Sequence, residues 1–292
     1  MLRAREITTL NIEGSSIRLL TVKDKAVQKW GDMPLEPGLI KEGLILNPPG
    51  VGLVIRNLFA SQNAPKKDVI ISLTGLRAIP RFLTMPKMSP HLLEEAIMRE
   101  ARREMPLPLE DLYLSWQVIG EVGNQQHIYL LGVPRDLLDA EVQALAAAGI
   151  QPSVMDLKPL ALARAVNREQ AVIADLEPDS LDVIVVADYV PVIMRTFSLE
   201  EGLGLEEKIE RLADELTRTV KFYNDSHPES PFSPTTTVYL TGALMGDRAP
   251  RNSFTRRVDY PVEVPDPPLE YSPDLPLAQY VVNMGLALKK AR

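Results

Sequence analysis

The chain has 292 residues, enough to bury a sizeable core in two lobes or one large domain. Apolar residues make up 45% and charged residues 24%, and the formal net charge is -7. That balance argues against a dedicated nucleic-acid surface, which needs a clustered basic field. With no cysteine, disulfides and thiolate metal sites are excluded, in keeping with a reducing cytoplasm.

In chain order, Ile7–Ile12, Ser16–Val22 and Ala26–Pro34 read as three short strands joined by tight turns, the second of them Lys23-Asp24-Lys25. Val51–Ser61 has helical spacing through Val51, Val54, Ile55 and Leu58. Asp68–Leu73 is a continuous β-branched apolar run, the pattern of a strand buried on both faces. Ala78–Met85 reads as a further strand. Ser89 stands where a helix N-cap belongs, with Pro90 in the first turn and Met88 and Leu93 placed to form a hydrophobic staple. Along that helix Leu93, Ile97, Glu100 and Ala101 share a face, and Pro106 and Pro108 end it.

Strands at Tyr113–Gly120 and Gln126–Val133 follow, turned at Gly123-Asn124, then a helix Leu137–Ala148 stopped by Gly149. Gly149–Ala165 opens the second lobe. Strands are expected at Ala171–Asp175, Leu181–Ala187 and Val190–Phe197, a long helix at Leu205–Asn224 and a strand at Thr236–Thr241. Pro261–Pro276 is proline-rich and expected to lack regular structure, and Gln279–Lys290 closes the chain as a helix. The N-terminus has no apolar secretory core, and no apolar run reaches the ~20 residues of a membrane helix, so no direct membrane span is expected.

Three meandering strands, a helix and a buried strand match one lobe of an actin-like, ribonuclease-H-like fold. The strand-helix-strand-strand-helix segment after it resembles the subdomain that PilM and FtsA proteins insert into that lobe. The stretch Met105-Pro-Leu-Pro-Leu-Glu-Asp-Leu-Tyr113 carries this likeness, together with Gly149–Ala165, which resembles the family's connecting helix, and the terminal Gly285-Leu-Ala-Leu288. The likeness to the PilM family of type IV pilus assembly proteins spans nearly the whole chain. The related cytoplasmic domains of type II secretion assemblies are similar. The implied fold is α/β, with two ribonuclease-H-like lobes and an inserted subdomain, divided at about residues 1–77, 78–149 and 150–292.

In that family two hairpin turns, one per lobe, hold the phosphates of ATP through backbone N–H groups. PilM proteins typically carry Leu-Asp-Ile-Gly-Ser-Ser-Ser-Ile-Lys at the first turn, where this chain has Leu10-Asn-Ile-Glu-Gly-Ser-Ser-Ile-Arg18. The acidic residue that helps to organise magnesium is Asn11 and a glycine is Glu13. At the second turn Asp-Ile-Gly becomes Asp175-Leu176-Glu177, and Pro178 lacks an N–H. A like-charge contact at roughly 4 Å costs ~1 kcal/mol in water and ~4 kcal/mol at an effective dielectric near 20, so Glu13 and Glu177 are expected to repel a triphosphate. The adenine-covering subdomain of lobe two is lost or reduced, since Arg195–Gly204 runs almost directly into the long helix, and the adenosine turn Leu240–Leu244 keeps one glycine of the family's run.

The resemblance therefore implies a degenerate ATPase without catalytic residues or metal, with ATP and magnesium doubtful ligands. Gly14, Ser15, Ser16, Arg18, Asp175 and Gly242 are the vestigial nucleotide contacts. It implies a scaffold that docks the short tail of a PilN-like bitopic inner-membrane protein between the first lobe and the insertion, peripheral to the inner membrane through that partner. Alternation places Ile79, Arg81, Leu83 and Met85 on one face of their strand, as candidate contacts for the tail or as cover for the insertion's own helix. An ATPase that drives assembly, and an FtsA-like filament or membrane tether with self-association, are the alternative readings.

Overall fold

A computed structural model describes residues 6–289. The chain divides into two compact units, one comprising Arg77–Val142 and the other the segments on either side of it. The larger unit contains both lobes.

Lobe one opens with β1 (Glu6–Ile12), β2 (Ser16–Lys23) and β3 (Ala26–Pro34), an antiparallel meander in which Leu10 faces Leu19 and Ile12 faces Ile17. A small hairpin, β4 (Ile40–Lys41) and β5 (Leu44–Ile45), leads to α1 (Pro48–Ser61). The α1 helix begins three residues earlier than its apolar spacing indicates. Asn47 caps it by accepting from the Gly50 N–H at 3.0 Å, and prolines fill the first turn, where no N–H is missed. Then β6 (Val69–Leu73) pairs parallel with β1, buried at every residue as its unbroken apolar run requires.

In the smaller unit β7 (Ile79–Pro86) is followed by α2 (Pro90–Glu104), β8 (Leu112–Val122), β9 (Gln125–Pro134) and the first part of α3 (Arg135–Ala147), which continues into the larger unit from Gln143. This is the expected insertion order. The strand order is β7-β9-β8, so β9 is central and β7 is an edge. Leu93, Ile97 and Ala101 of α2 pack on Met85, Leu112, Ile128 and Leu130, and Met88 joins them as the staple predicts. Ser89 occupies the N-cap position but its side chain makes no capping hydrogen bond. α2 ends at Glu104, before Pro106.

The segment after Gly149 departs from expectation. Instead of one continuous helix it forms β10 (Val154–Leu157), parallel to β6, and only then α4 (Lys158–Val166). Residues 154–157 thus complete the lobe-one sheet, β10-β6-β1-β2-β3. Lobe two repeats the order. β11 (Ala171–Leu176), β12 (Ser180–Ala187) and β13 (Val190–Ser198) form an antiparallel meander, and α5 (Leu205–Ser226) follows after six residues, with no additional subdomain. Next come β14 (Val238–Thr241), α6 (Arg248–Thr255), β15 (Val262–Glu263) and α7 (Leu277–Ala287), giving the sheet β13-β12-β11-β14-β15. α6 was not expected because only Ser253 and Phe254 of its eight residues are buried, too few for a periodic signal.

The lobe-two sheet is covered on both faces, and strand alternation divides its side chains. Val172, Ala174, Leu181, Val183 and Val185 meet α5, while Ala171, Ile173, Ile184 and Val186 meet α4 and α7. α7 is buried nearly all round, with Leu286 in the core, so the terminal apolar segment serves packing. The expected helix end at Lys290, like the first five residues, lies outside the described residues. No described helix is long and apolar enough to cross a membrane.

Candidate functional site: two phosphate-type turns and a strand-edge groove

The β1–β2 and β11–β12 turns are built alike. Glu13 N–H donates to the Ser16 carbonyl and Glu177 N–H to the Ser180 carbonyl, each at 2.9 Å. Asn11-Ile-Glu-Gly-Ser-Ser-Ile-Arg18 and Asp175-Leu-Glu-Pro-Asp-Ser-Leu-Asp182 therefore run in the same register through strand, turn and strand. The turns meet at their tips. A Cβ placed on Gly14 would lie 1.6 Å from Asp179 Oδ2, so the approach of the two turns is set by the absence of a side chain there.

Behind the tips lies a buried ion cluster. Lys158, from the first turn of α4, places Nζ 3.0 Å from Glu13 Oε1, 2.8 Å from Asp175 Oδ2 and 2.9 Å from Asp182 Oδ2, with all four side chains 5% exposed or less. Arg18 meets Glu177 through both terminal nitrogens, at 2.8 and 2.5 Å, in the bidentate geometry that suits guanidinium and carboxylate. Both sets of contacts join one lobe to the other. Asn11 Nδ2 donates to Glu13 Oε1 at 3.0 Å, and the Ser72 hydroxyl donates to Asn11 Oδ1. Ala243 N–H, at the adenosine-type turn, donates to Glu177 Oε1 at 3.2 Å.

Burial by itself would lower the Lys158 pKa, but Asp175, Asp182, Glu13 and Glu177 outweigh it and hold the ammonium well above its ordinary value. Burial likewise disfavours the charged guanidinium of Arg18, and Glu177 more than restores it. The Glu13, Asp175, Asp182 and Glu177 carboxylates outnumber the Lys158 and Arg18 cations. Burial accordingly lifts Glu13 to about 7, opposed by Lys158 and assisted by Glu177. Asp182 is raised in the same way, by burial and by Asp175 against the pull of Lys158. Asp179 at the tip is raised by burial.

This geometry corrects the sequence reading of the turns. Glu13 and Glu177 are not a free negative field, because each has a cationic partner; what they present to a phosphate is an occupied position. Arg18 is committed to Glu177 and, at 3.3 Å, to the Gln279 carbonyl. Ser15 accepts the Leu35 N–H through its carbonyl, and Ser16 Oγ accepts from Arg18 at 3.3 Å. Asp175 accepts the Thr241 hydroxyl at 2.5 Å. Gly242, at φ +105, donates to Ala278 O, and a Cβ there would sit 2.3 Å from Leu176 O. The expected nucleotide residues thus come together: Ser15, Ser16, Arg18, Asp175 and Gly242 are bonded to protein groups, and Gly14 lies against Asp179.

Sequence reasoning missed Lys158 and Asp182, and both left a signal. A lysine in the first turn of a helix opposes the helix dipole and needs an anionic partner. An aspartate inside the apolar run Leu181–Val186 needs a buried cation. Among the described residues no group of acidic or histidine side chains is arranged to hold a metal.

The smaller unit carries a separate feature. Ile79, Leu83 and Met85 turn toward α2 and join its core. Arg81 donates from Nε to the Glu104 carbonyl at 3.1 Å, tying the end of α2 to β7. The face chosen from alternation therefore covers the insertion's own helix. Beside it, a groove of about 480 Å³ is lined by Phe82, Leu83, Met85, Met88, Ala96 and Arg99, among others. The other edge of β7 pairs with β9 without a bulge, and Lys87 N–H donates to Asn124 O on that side. By alternation the N–H groups of Phe82 and Thr84 point to the open edge, together with Pro80 and Pro86, which have none to lose there.

Comparison with known proteins places these features in context. Residues 9–201, a span of 193 out of 292, match the family model described as type IV pilus assembly protein PilM. Among solved structures the chain is similar to one titled "PilM-PilN type IV pilus biogenesis complex", with TM-score 0.77 and 22% identity over 98% of each chain. It is also similar to the ethanolamine utilization protein EutJ from Carboxydothermus hydrogenoformans, with TM-score 0.57 and 15% identity over 98% of this chain and 90% of that one. The cytoplasmic domain of EpsL, an inner-membrane component of the Vibrio cholerae type II secretion system, matches with TM-score 0.55 and 13% identity over 98% and 97%. No curated protein matches in a sequence search. With the family model matching about two thirds of this chain, and an actin-like fold of two equivalent lobes and an insertion, the chain belongs to the PilM family of type IV pilus assembly proteins.

Proposed function

We propose that this protein is a cytoplasmic scaffold of a type IV pilus machine or a related secretion machine. It binds the short cytoplasmic tail of a PilN-like bitopic inner-membrane protein and works without ATP turnover. The observation that carries the docking is the free edge of β7 beside the groove lined by Phe82, Leu83, Met85 and Met88. An extended peptide added to such an edge gains backbone hydrogen bonds, while the neighbouring groove accepts alternate side chains. The solved PilM–PilN complex, similar over nearly the full chain, supports the choice of partner. The occupied phosphate turns support an ATP-independent role, and the protein is held at the inner membrane by its partner.

The test is titration of the chain with a labelled synthetic cytoplasmic tail of a PilN-like protein from the same organism, read by fluorescence anisotropy. Saturable binding that is lost on Phe82→Asp, with the circular dichroism spectrum retained, is the expected result. Absence of binding by the unmodified protein would remove this partner. Binding unchanged by Phe82→Asp would move the docking site elsewhere.

A further inference from the structure

The cleft between the two lobes is filled by side chains that have the charges of a nucleotide complex. On each side a glutamate occupies the third position of a phosphate-type turn, Glu13 in lobe one and Glu177 in lobe two. Each carboxylate meets a cation that also belongs to this chain: Lys158 with Glu13, Asp175 and Asp182, and Arg18 with Glu177. Glu177 further accepts the Ala243 N–H, so one carboxylate ties together the lobe-one strand β2 and the two lobe-two turns. The tips of the turns touch at Gly14 and Asp179.

We infer that these side chains are an internal replacement for the bound nucleotide and its cation, Glu13 and Glu177 standing for phosphate and Lys158 for the metal, and that they hold the lobes in one closed arrangement without any ligand. The inference rests on the ATP-independent reading above and deepens it, since it names what takes the nucleotide's place. Three features separate it from ordinary core polarity. The contacts cross from lobe to lobe. Their members come from five elements or turns: the β1–β2 turn, β2, α4, the β11–β12 hairpin and the turn after β14. And the side chains are almost fully buried, Lys158 and Arg18 at 2% and Glu177 and Asp182 at 0% exposure, which leaves little room for exchange with solvent anions. A cleft of this kind gains nothing from Mg-ATP, because a nucleotide would have to break both ion-pair sets before reaching the turns.

The chain lacks cysteine, so two exposed positions, Asn57 in α1 and Asp214 in α5, can be changed to cysteine and spin-labelled in the full-length protein. Electron–electron distance measurements then report the separation of the lobes. The unmodified cluster is expected to give one narrow distribution, unmoved by saturating Mg-ATP. Lys158→Met and Arg18→Leu are each expected to broaden it or shift it by several ångström. A broad distribution in the unmodified protein that narrows on Mg-ATP would overturn the inference, and that measurement needs no substitution inside the cluster. Folded Lys158→Met and Arg18→Leu variants with the unmodified distribution would overturn it as well. Titrating the tail peptide into the same labelled protein keeps the two readings apart. Binding with a broad distribution sinks the internal lock and leaves the scaffold. A narrow distribution without binding does the reverse.

Discussion

At the residue scale the buried cluster is asymmetric in charge, and that predicts opposite tolerances for its members. Lys158 serves the Glu13, Asp175 and Asp182 carboxylates at once, so Lys158→Met strands buried anions and is expected to cost ~3–5 kcal/mol of unfolding free energy. Glu13→Gln removes one carboxylate from an anionic excess and should cost about 1 kcal/mol or less at pH 7. Urea titration of both variants checks the pair. Comparable losses would mean that Lys158 is no more central than Glu13.

Glu141 in α3 supplies a pH-dependent counterpart. It is 7% exposed, its Oε1 has no hydrogen-bond partner, and burial raises it from 4.5 to about 8. Glu13 is raised to about 7 within the cluster of Lys158, Arg18, Glu177, Asp175 and Asp182. A carboxyl raised on folding binds more protons in the native than in the unfolded state between its two pKa values. Its stabilising protonation is therefore complete below about 4.5 and is lost as pH rises through the folded value. Melting temperature should fall from pH 5 to pH 9, and Glu141→Gln should flatten the upper part of that fall, gaining about 1–3 kcal/mol at pH 8. A parallel curve for the variant would show that Glu141 contributes nothing to the slope.

Among elements, β7 decides what the insertion can do. Its odd-numbered side chains are spent on α2 and its odd-numbered N–H groups on β9, which leaves the N–H groups of Phe82 and Thr84 at the edge. Thr84→Pro deletes one of these without removing a ladder bond to β9. Loss of a single backbone hydrogen bond to a docked tail is worth about 1 kcal/mol, so affinity should fall roughly fivefold while the melting temperature hardly changes. Anisotropy titration of this variant beside the unmodified protein separates strand addition from side-chain contact alone. Unaltered affinity would mean that the tail does not pair with β7. Prolines at 80 and 86 already mark the same side of the strand. Leu83 and Met85 both pack toward α2 and line the groove, so alternation alone could not separate cover for the helix from contact for a tail.

For the whole molecule, closed turns predict the response to nucleotide. Mg-ATP should give no saturable heat in calorimetry up to about 1 mM, where binding is worth only ~4 kcal/mol. A micromolar dissociation constant would show that the cluster opens readily. The elements that position the site were largely legible, because strands buried on both faces write unbroken apolar runs and α5 repeats its apolar residues at helical spacing. β10 was not, since Val154–Leu157 is four residues long and runs straight into α4; only its seat beside β6 makes it a strand.

The same division holds for function. The chain by itself determined the family, the two-lobed α/β fold, the insertion order and the chemical change in both phosphate turns, because turn residues and apolar periods are local properties. Which charge meets which was decided by tertiary structure alone. Glu13 and Glu177 look like isolated anions in the sequence and become partners of Lys158 and Arg18 only when α4 and β2 bring cations to them. Glu177 lies 159 positions from Arg18. A Coulombic pairing depends on distance in space, and no local pattern encodes a separation of that length.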